Sequence, residues 1–448
     1  MKLLAFHHIG FHKNHPRLFL DTGRLSALGF TPGSPVAIEG GHRSLTLRLA
    51  GAGRGGSFTV SQRRAAGGLR PVLDINSSLA LGPVRDYSEV RLMGTMGGIV
   101  VTPSVRAFHI RKALTAKPPF RVMEFFAGGG TLSDAFSGNP LFQMIGGMEM
   151  DADFADCWQI KHPDALLIQG DIRSMNPYEL PAYDILVAGI PCTDHSTMGR
   201  AKKSLAGCPE TGGTGDLFIH VLSHLHHRMP LACVFENVPS FGTSLAGATL
   251  KATLREIGYH ITETVVQPNT EWNEPSDRRR WVCVATLKPH FAITSPKQAF
   301  AGCSGQFLDA PDPVQDKLDA ARIAGTISGL RLHNARHAAM GHGFQFTTLD
   351  GTETKIPTIP KSYHKINTGP FVRTPFGERL LRQHEIENIQ GSRAGCEHYA
   401  TAVKILGQGV QTRLFSQIVE QLGEFLVRPA APPPVTALQV GQLMLFQR

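Results

Sequence analysis

The 448-residue chain has no Cys-x-x-Cys pair. Its seven cysteines are scattered, which argues against a disulfide framework and a zinc cluster and fits a reducing compartment. No apolar run is long enough to cross a bilayer, so no membrane association is expected. A signal-peptide core is also missing, because Lys13, Arg17 and several histidines interrupt the N-terminus, and a cytoplasmic location is expected. Acidic residues are scarce at one end only. Residues 1–120 hold 16 Lys/Arg against 5 Asp/Glu, while the remainder holds 29 against 31. A basic module joined to a near-neutral one points to a polyanionic partner, with nucleic acid favoured over a merely solubilising surface. With 42% hydrophobic and 18% charged residues, the rest is ordinary globular composition, long enough for roughly two to four domains.

Residues 1–117 read as a basic, β-rich domain. Short β-like runs recur, such as Pro35–Ile38, Leu45–Leu49 and Gly98–Thr102. There is a faint internal repeat. Leu20-Asp21, Leu28-Gly29, Val36–Ile38 and Gly40 recur as Leu73-Asp74, Leu81-Gly82, Val90–Leu92 and Gly94. Two such halves suggest a small barrel of paired hairpins. The stretch Leu28–Val36 resembles the swapped-hairpin barrels of AbrB- and SymE-like DNA-binding proteins. Gly51–Gly68, with Arg54, Arg63 and Arg64, reads as a flexible basic loop, and the domain is expected to hold DNA backbone without sequence preference.

After Pro118-Pro119 the pattern changes to strand, Gly-rich turn, helix. Val122–Phe126 is followed by Ala127–Gly130 and then by a helix from Leu132. Glu149 closes a second strand, where a carboxylate can grip ribose hydroxyls. Asp171 follows a third. Ile185–Ala188 is an apolar run stopped by Gly189 and Pro191, with Cys192 just beyond. Leu231–Val238 is a fifth strand with Glu236 at its mouth. Five strand ends carrying Gly, Glu, Asp, Cys and Glu indicate an α/β fold with a doubly wound, mostly parallel sheet and one ligand crevice.

In this order the motifs resemble the cytosine-5 DNA methyltransferases from residue 121 to about 425. The cofactor turn corresponds to Glu124-Phe-Phe-Ala-Gly128-Gly-Gly130, the Pro-Cys nucleophile to Pro191-Cys192, Glu-Asn-Val to Glu236–Val238 and the Arg motif to Ser276–Arg280. The closing segments correspond to Arg379–Gly391 and Gly407–Val410. Amino-methyltransferases are disfavoured, since no Asn/Asp-Pro-Pro-aromatic loop occurs. The resemblance implies S-adenosyl-L-methionine as cofactor, held by Phe126, Gly128, Gly130, Thr131, Glu149, Met150, Asp171, Ile172, Pro191, Gln408 and Val410. It also implies methyl transfer to C5 of a flipped-out cytosine in double-stranded DNA. Cys192 would add to C6, because C5 alone is a poor nucleophile. Glu236 would serve N3 with a pKa raised by burial. Arg280 would hold the base O2 and Arg278 would support Cys192 or a phosphate. Asn237 would fix the loop, and Ser196 and Arg200 would meet substrate on a mobile loop reaching to Gly215. This chain departs from the pattern at Glu124, Thr193, His195, Ser276 and Gln408.

The catalytic core is read as 118–290, a target-recognition insert as 291–362, the return of the core as 363–428 and a tail as 429–448. The insert carries a helix over Val314–Leu332, followed by Arg331, His333, Arg336, His337 and His342 as DNA-facing or solvated groups. No metal is expected, because His333 and His337 lack further ligands. Ser223–Arg228, with His224, His226 and His227, reads as a wet helix face. In the tail, Pro429–Pro434 is a stiff tether and Gln442–Phe446 is similar to the peptide that binds the bacterial DNA sliding clamp. An RNA cytosine-5 enzyme and a catalytically silent DNA-binding regulator are the competing functions. The recognition insert and basic N-terminal domain favour DNA over RNA, and intact Cys192, Glu236 and Arg280 favour an enzyme over a regulator.

Overall fold

A computed structural model describes residues 2–51, 57–65, 68–191, 215–340 (Ala338 by its backbone only), 346–367 and 369–429. Cys192, Thr193, His195, Ser196, Arg200, Arg54, His342 and the Gln442–Phe446 peptide lie outside these residues. The chain divides into two compact units, Met1–Thr115 and Ala116–Arg448.

The first unit holds strands β1 (Leu3–His8), β2 (Gly10–His12), β3 (His15–Asp21), β4 (Pro35–Gly41), β5 (Ser44–Leu49), β6 (Phe58–Thr59), β7 (Ser61–Ala65), β8 (Gly68–Asn76), β9 (Glu89–Thr95) and β10 (Gly98–Pro103). It also holds helices α1 (Arg24–Ala27) and α2 (Val105–Leu114). The strands form two sheets ordered β1-β9-β10-β5-β4-β6 and β2-β3-β8-β7, rather than one closed barrel. Period-2 alternation makes this possible: Leu18 and Leu20 on β3 point inward with Leu73 and Ile75 on β8. They meet Val36, Leu45, Leu47, Val90, Leu92, Ile99 and Val101 from the other sheet in a single core. The sequence repeat is a structural one. Leu20 and Leu73 are direct cross-strand partners, and β5 lies against β10. β1 pairs with β9, and β6 with β4, so each half lends an edge strand to the other. Gly51–Gly68 is not simply a loop, because Arg63 and Arg64 lie within β7.

In the second unit β11 (Phe120–Phe125), β12 (Phe142–Glu149), β13 (Leu166–Gln169), β14 (Ile185–Gly189), β15 (Ala232–Asn237), β16 (His260–Val266) and β17 (Arg280–Thr286) form one sheet, ordered β13-β12-β11-β14-β15-β17-β16. The first five strands are parallel, and β17 joins β15 and β16 antiparallel. The central strands are buried on both faces, as their continuous apolar runs require. Asp184 locks β11 to β14 by accepting from the Arg121 amide at 3.0 Å and from its guanidinium at 3.1 and 3.2 Å. Helices α3 (Ser133–Ser137), α4 (Ala152–Lys161), α5 (Leu217–Arg228) and α6 (Leu245–Glu256) connect the strands. His224 is not on a wet face: it is buried edge-on against Phe125, ring centroids 5.0 Å apart, and burial lowers its pKa to about 4.

The insert is built on α7 (Pro313–Ala339), which runs beyond Leu332, and on a sheet of β18 (Thr348–Leu349), β19 (Phe371–Thr374) and β20 (Gly377–Arg379). The last two strands fall beyond residue 362, the sequence boundary of the insert. The return consists of α8 (Gln383–Gln390), α9 (Tyr399–Gln408) and α10 (Thr412–Val427). Arg379, 2% exposed, joins insert to core: its Nε meets Asp316 at 3.1 Å and its Nη atoms hold Glu385 at 2.8 Å. Arg382 adds Asp309 at 2.7 Å and Asp316 at 2.8 Å.

Candidate active site

The sheet brings two neighbouring strand ends together. Gly189 at the end of β14 is paired in register with Glu236 at the end of β15. A side chain at Gly189 would meet Glu236 Oε2 at 3.7 Å, so the open strand end leaves space over the carboxyl group. Glu236 is 8% exposed, and burial raises its pKa, against the opposing pull of Arg280 and Arg278. Arg280 Nε lies 2.7 Å from Glu236 Oε1 and its Nη1 donates to the Arg279 carbonyl at 2.7 Å. Asn237 donates from Nδ2 to the Ile190 carbonyl at 3.1 Å, while its Oδ1 accepts from the Val238 amide at 2.8 Å. It therefore pins Ile190, the residue that precedes Pro191-Cys192, at the end of the sheet. Arg278 is placed differently. It is 5% exposed and donates to the carbonyls of Gly409 at 2.8 Å and Ile359 at 3.5 Å. Its charge reaches Glu236, but a phosphate has no access to so buried a group.

The second flank is the turn after β11. Phe126 adopts φ 57, Gly128 φ 53 and Gly130 φ 79. A left-handed phenylalanine is costly and persists at functional strand ends where the surroundings enforce it. Glu149 enforces this one: its carboxylate accepts from the Gly128 amide at 2.7 Å and from the Met150 and Asp151 amides at 2.8 and 2.9 Å. A side chain at Gly129 would overlap Ile405, and one at Gly409 would overlap Thr131. Thr131 ties the turn to the closing segment, accepting at Oγ1 from the Val410 amide at 3.2 Å and at its carbonyl from the Thr412 hydroxyl at 2.9 Å. Gln408 Nε2 comes within 3.5 Å of where a Gly128 side chain would start. At the third strand end, Asp171 caps the turn Ile172–Ser174 and pairs with Arg173 at 3.0 Å. Met150, just past the end of β12, is 65% exposed. Glu124 lies behind the turn, 1% exposed, bonded to Ser133 and accepting from the Trp158 indole at 3.2 Å. Burial pushes its pKa up to about 8, so it is a structural acid of the core.

Comparison with known proteins gives this geometry a context. The profile of the C-5 cytosine-specific DNA methylase family matches residues 120–424. The chain belongs to that family. It is 29% identical over 287 residues to the type II methyltransferase M.Bsp6I of Bacillus sp. (strain RFL6), covering 60% of this chain and 87% of the relative. It is 26% identical over 282 residues to the type II methyltransferase M.NlaX of Neisseria lactamica, covering 61% and 85%. Its fold is that of the S. pombe Dnmt2 methyltransferase, with TM-score 0.55, 16% identity and coverage of 69% of this chain and 99% of that one. The Entamoeba histolytica methyltransferase EhMeth matches at TM-score 0.55 and 17% identity, with coverage of 69% and 99%. A DNA cytosine-5-methyltransferase, it uses S-adenosylmethionine and acts on DNA. The Gly128–Gly130 turn fits that cofactor, because Gly128 and Gly130 hold positive φ and the space over Gly128 meets only Gln408 Nε2, at 3.5 Å, which lets a ligand approach the backbone closely. No helix among the described residues is long and apolar enough to cross a membrane.

Sequence reasoning named Thr131 and the Arg379–Gly391 segment but not the bonds they make, and it missed Arg413. Thr131 couples turn to closing helix, Arg379 and Arg382 fasten Asp316 and Asp309, and Arg413 holds buried Glu274 at 2.9 Å. Each joins residues remote in the chain, and no local spacing announces such a bond. Arg331, read as facing DNA or solvent, pairs with Glu378 and lies over the Phe346 ring, 5.4 Å from its centroid.

Proposed function

We propose that the enzyme methylates C5 of a cytosine rotated out of duplex DNA, through a covalent bond between Cys192 Sγ and C6 of the ring. The Cys192 thiolate adds its electron pair to C6, and the C5–C6 π pair becomes available at C5. Glu236 donates its proton to N3, which accepts the charge that would otherwise build there. A carboxyl group whose pKa burial has raised keeps that proton to higher pH than a solvated one. Arg280 orients Glu236 and offers its remaining N–H groups to the base O2. Asn237 holds the approach of Cys192 to the ring through the Ile190 carbonyl. S-adenosylmethionine, when bound, supplies an electrophilic methyl group, and Phe126, Gly128, Gly130, Glu149, Met150, Asp171, Ile172, Gln408 and Val410 would hold it. After methylation N3 returns its proton to Glu236, the C5 proton leaves to water, the C5–C6 double bond re-forms and the thiolate departs. The base must leave the stack because neither face of a paired cytosine is open to a side chain. Ser196 and Arg200 are proposed to close over it.

The observation that carries this reading is the register of Gly189 with Glu236, which sets a buried acid beside the strand end leading into Pro191-Cys192. Bisulfite sequencing of duplex DNA incubated with enzyme and S-adenosylmethionine tests it. Cytosines protected at a recurrent short sequence are expected. Methyl incorporation without any bisulfite-protected cytosine would refute transfer to C5.

A further inference from the structure

The internal twofold of the N-terminal unit gives it two equivalent hairpins, β2–β3 and β7–β8, at opposite edges of the four-stranded sheet. Their registers match, with Gly10 opposite Arg17 in one and Arg63 opposite Arg70 in the other. The charges do not match. In the first hairpin Arg17 is neutralised by Asp74 through two hydrogen bonds of 2.8 and 2.7 Å and lies over Phe19. In the second, two arginines face each other across the ladder. Like charges directly opposite destabilise a strand pair. Asp21 meets only Arg63, at 3.3 Å, leaving that side chain 67% exposed. Among the described residues no carboxylate lies within ion-pair distance of Arg64 or Arg70, and both are exposed. β7, Ser61-Gln-Arg-Arg-Ala65, adds nothing to the core, and Leu69, paired with Arg64 on the opposite face, is 62% exposed. β7 sends no side chain into the core, and the hairpin leaves Arg64 and Arg70 without a carboxylate partner among the described residues, a charge surplus that suits an anion.

We propose that the β7–β8 hairpin grips the sugar-phosphate backbone of duplex DNA, with Arg63 and Arg70 on one face and Arg64 on the other contacting phosphates and Leu69 covering sugar. The occupant is a polyanion because the strand offers only guanidinium groups, an amide and a hydroxyl. Duplex DNA presents phosphate rows to both faces of a two-stranded ribbon. The inference rests on DNA being the substrate, and it adds a contact remote in sequence from the chemistry.

The test uses the full chain with Arg64→Gln and Arg70→Gln combined, against Arg48→Gln, which removes a charge paired with Glu39 on the other sheet. Binding to a duplex and to a single strand of equal length is measured across salt concentration. For the double variant the slope of log Kd against log salt is expected to fall by about 2, with roughly tenfold weaker duplex binding at low salt. Arg48→Gln is expected to change neither. Methyl incorporation at saturating DNA, measured on the same preparations, reports the catalytic reading separately and is expected to persist in both variants. An unchanged slope overturns the proposal, as does an equal loss in Arg48→Gln or equal competition by the single strand. Charged edge strands also discourage self-pairing. If the double variant self-associates while its DNA slope is unchanged, the arginines serve that purpose and the proposal fails.

Discussion

The two units use arginine in opposite ways. In the catalytic unit Arg278, Arg280, Arg379 and Arg382 turn inward onto carboxylates and carbonyls. In the N-terminal unit Arg63 and Arg64 turn outward from β7, which sends no side chain into the core, and Arg70 turns outward from the exposed start of β8. This explains the charge distribution along the chain. Beyond residue 120, 29 basic residues nearly balance 31 acidic ones, because many cations there are pairing groups. The surplus of 16 over 5 in the first 120 residues has too few carboxylates to be absorbed, so it stays at the surface. Net charge alone says little about how a domain meets DNA; the fraction of its arginines already bonded says more.

Substitutions can break this contrast. The largest effect is expected at Glu236. Glu236→Gln keeps the shape but cannot supply a proton, so kcat should fall by about 10²–10⁴-fold in a methyl-incorporation assay. The pH profile gives the sign. The proposed chemistry needs the protonated acid, so wild-type kcat/KM should fall as pH rises through the raised pKa of Glu236. The Gln variant should lack that alkaline limb.

A smaller effect is expected at Arg379. Arg379→Ala strands fully buried Glu385 without its bidentate partner, a loss of about 3–5 kcal/mol in denaturant unfolding. A change below about 1 kcal/mol would mean that Arg382 alone secures the insert. The smallest effect runs in the opposite direction. Arg70→Gln removes the cross-strand repulsion with Arg63 and should stabilise the N-terminal unit by about 0.2–1 kcal/mol, seen as a rise in its melting temperature. A loss of stability would show that these arginines support the fold.

Much of the catalytic half was legible because its strands are apolar runs ended by Gly, Pro or an acid, a pattern that local sequence carries. Glu236, Asn237 and Arg280 come together as their order implied. The carbonyl partners of Arg278, at Gly409 and Ile359, could not be read from sequence, because they lie far along the chain. His224 sits in a run of histidines that looks solvated, yet the α5 face it occupies packs on Phe125. β7 could not be read as a strand, since Ser61–Ala65 has no alternation and gains its conformation from β8. The faint repeat was the strongest clue to the N-terminal unit. Spacing alone could not tell an open pair of sheets from a closed barrel.

The proposed chemistry depends most on the sulfur of Cys192 reaching the base steadied by Glu236. Duplex DNA carrying 5-fluorocytosine at the recognition site tests this directly, because fluorine at C5 blocks the proton loss that releases the thiolate. Wild-type enzyme with S-adenosylmethionine should give a denaturation-resistant complex of one protein per site, and Cys192→Ala should give none. A complex that survives in Cys192→Ala would contradict the account.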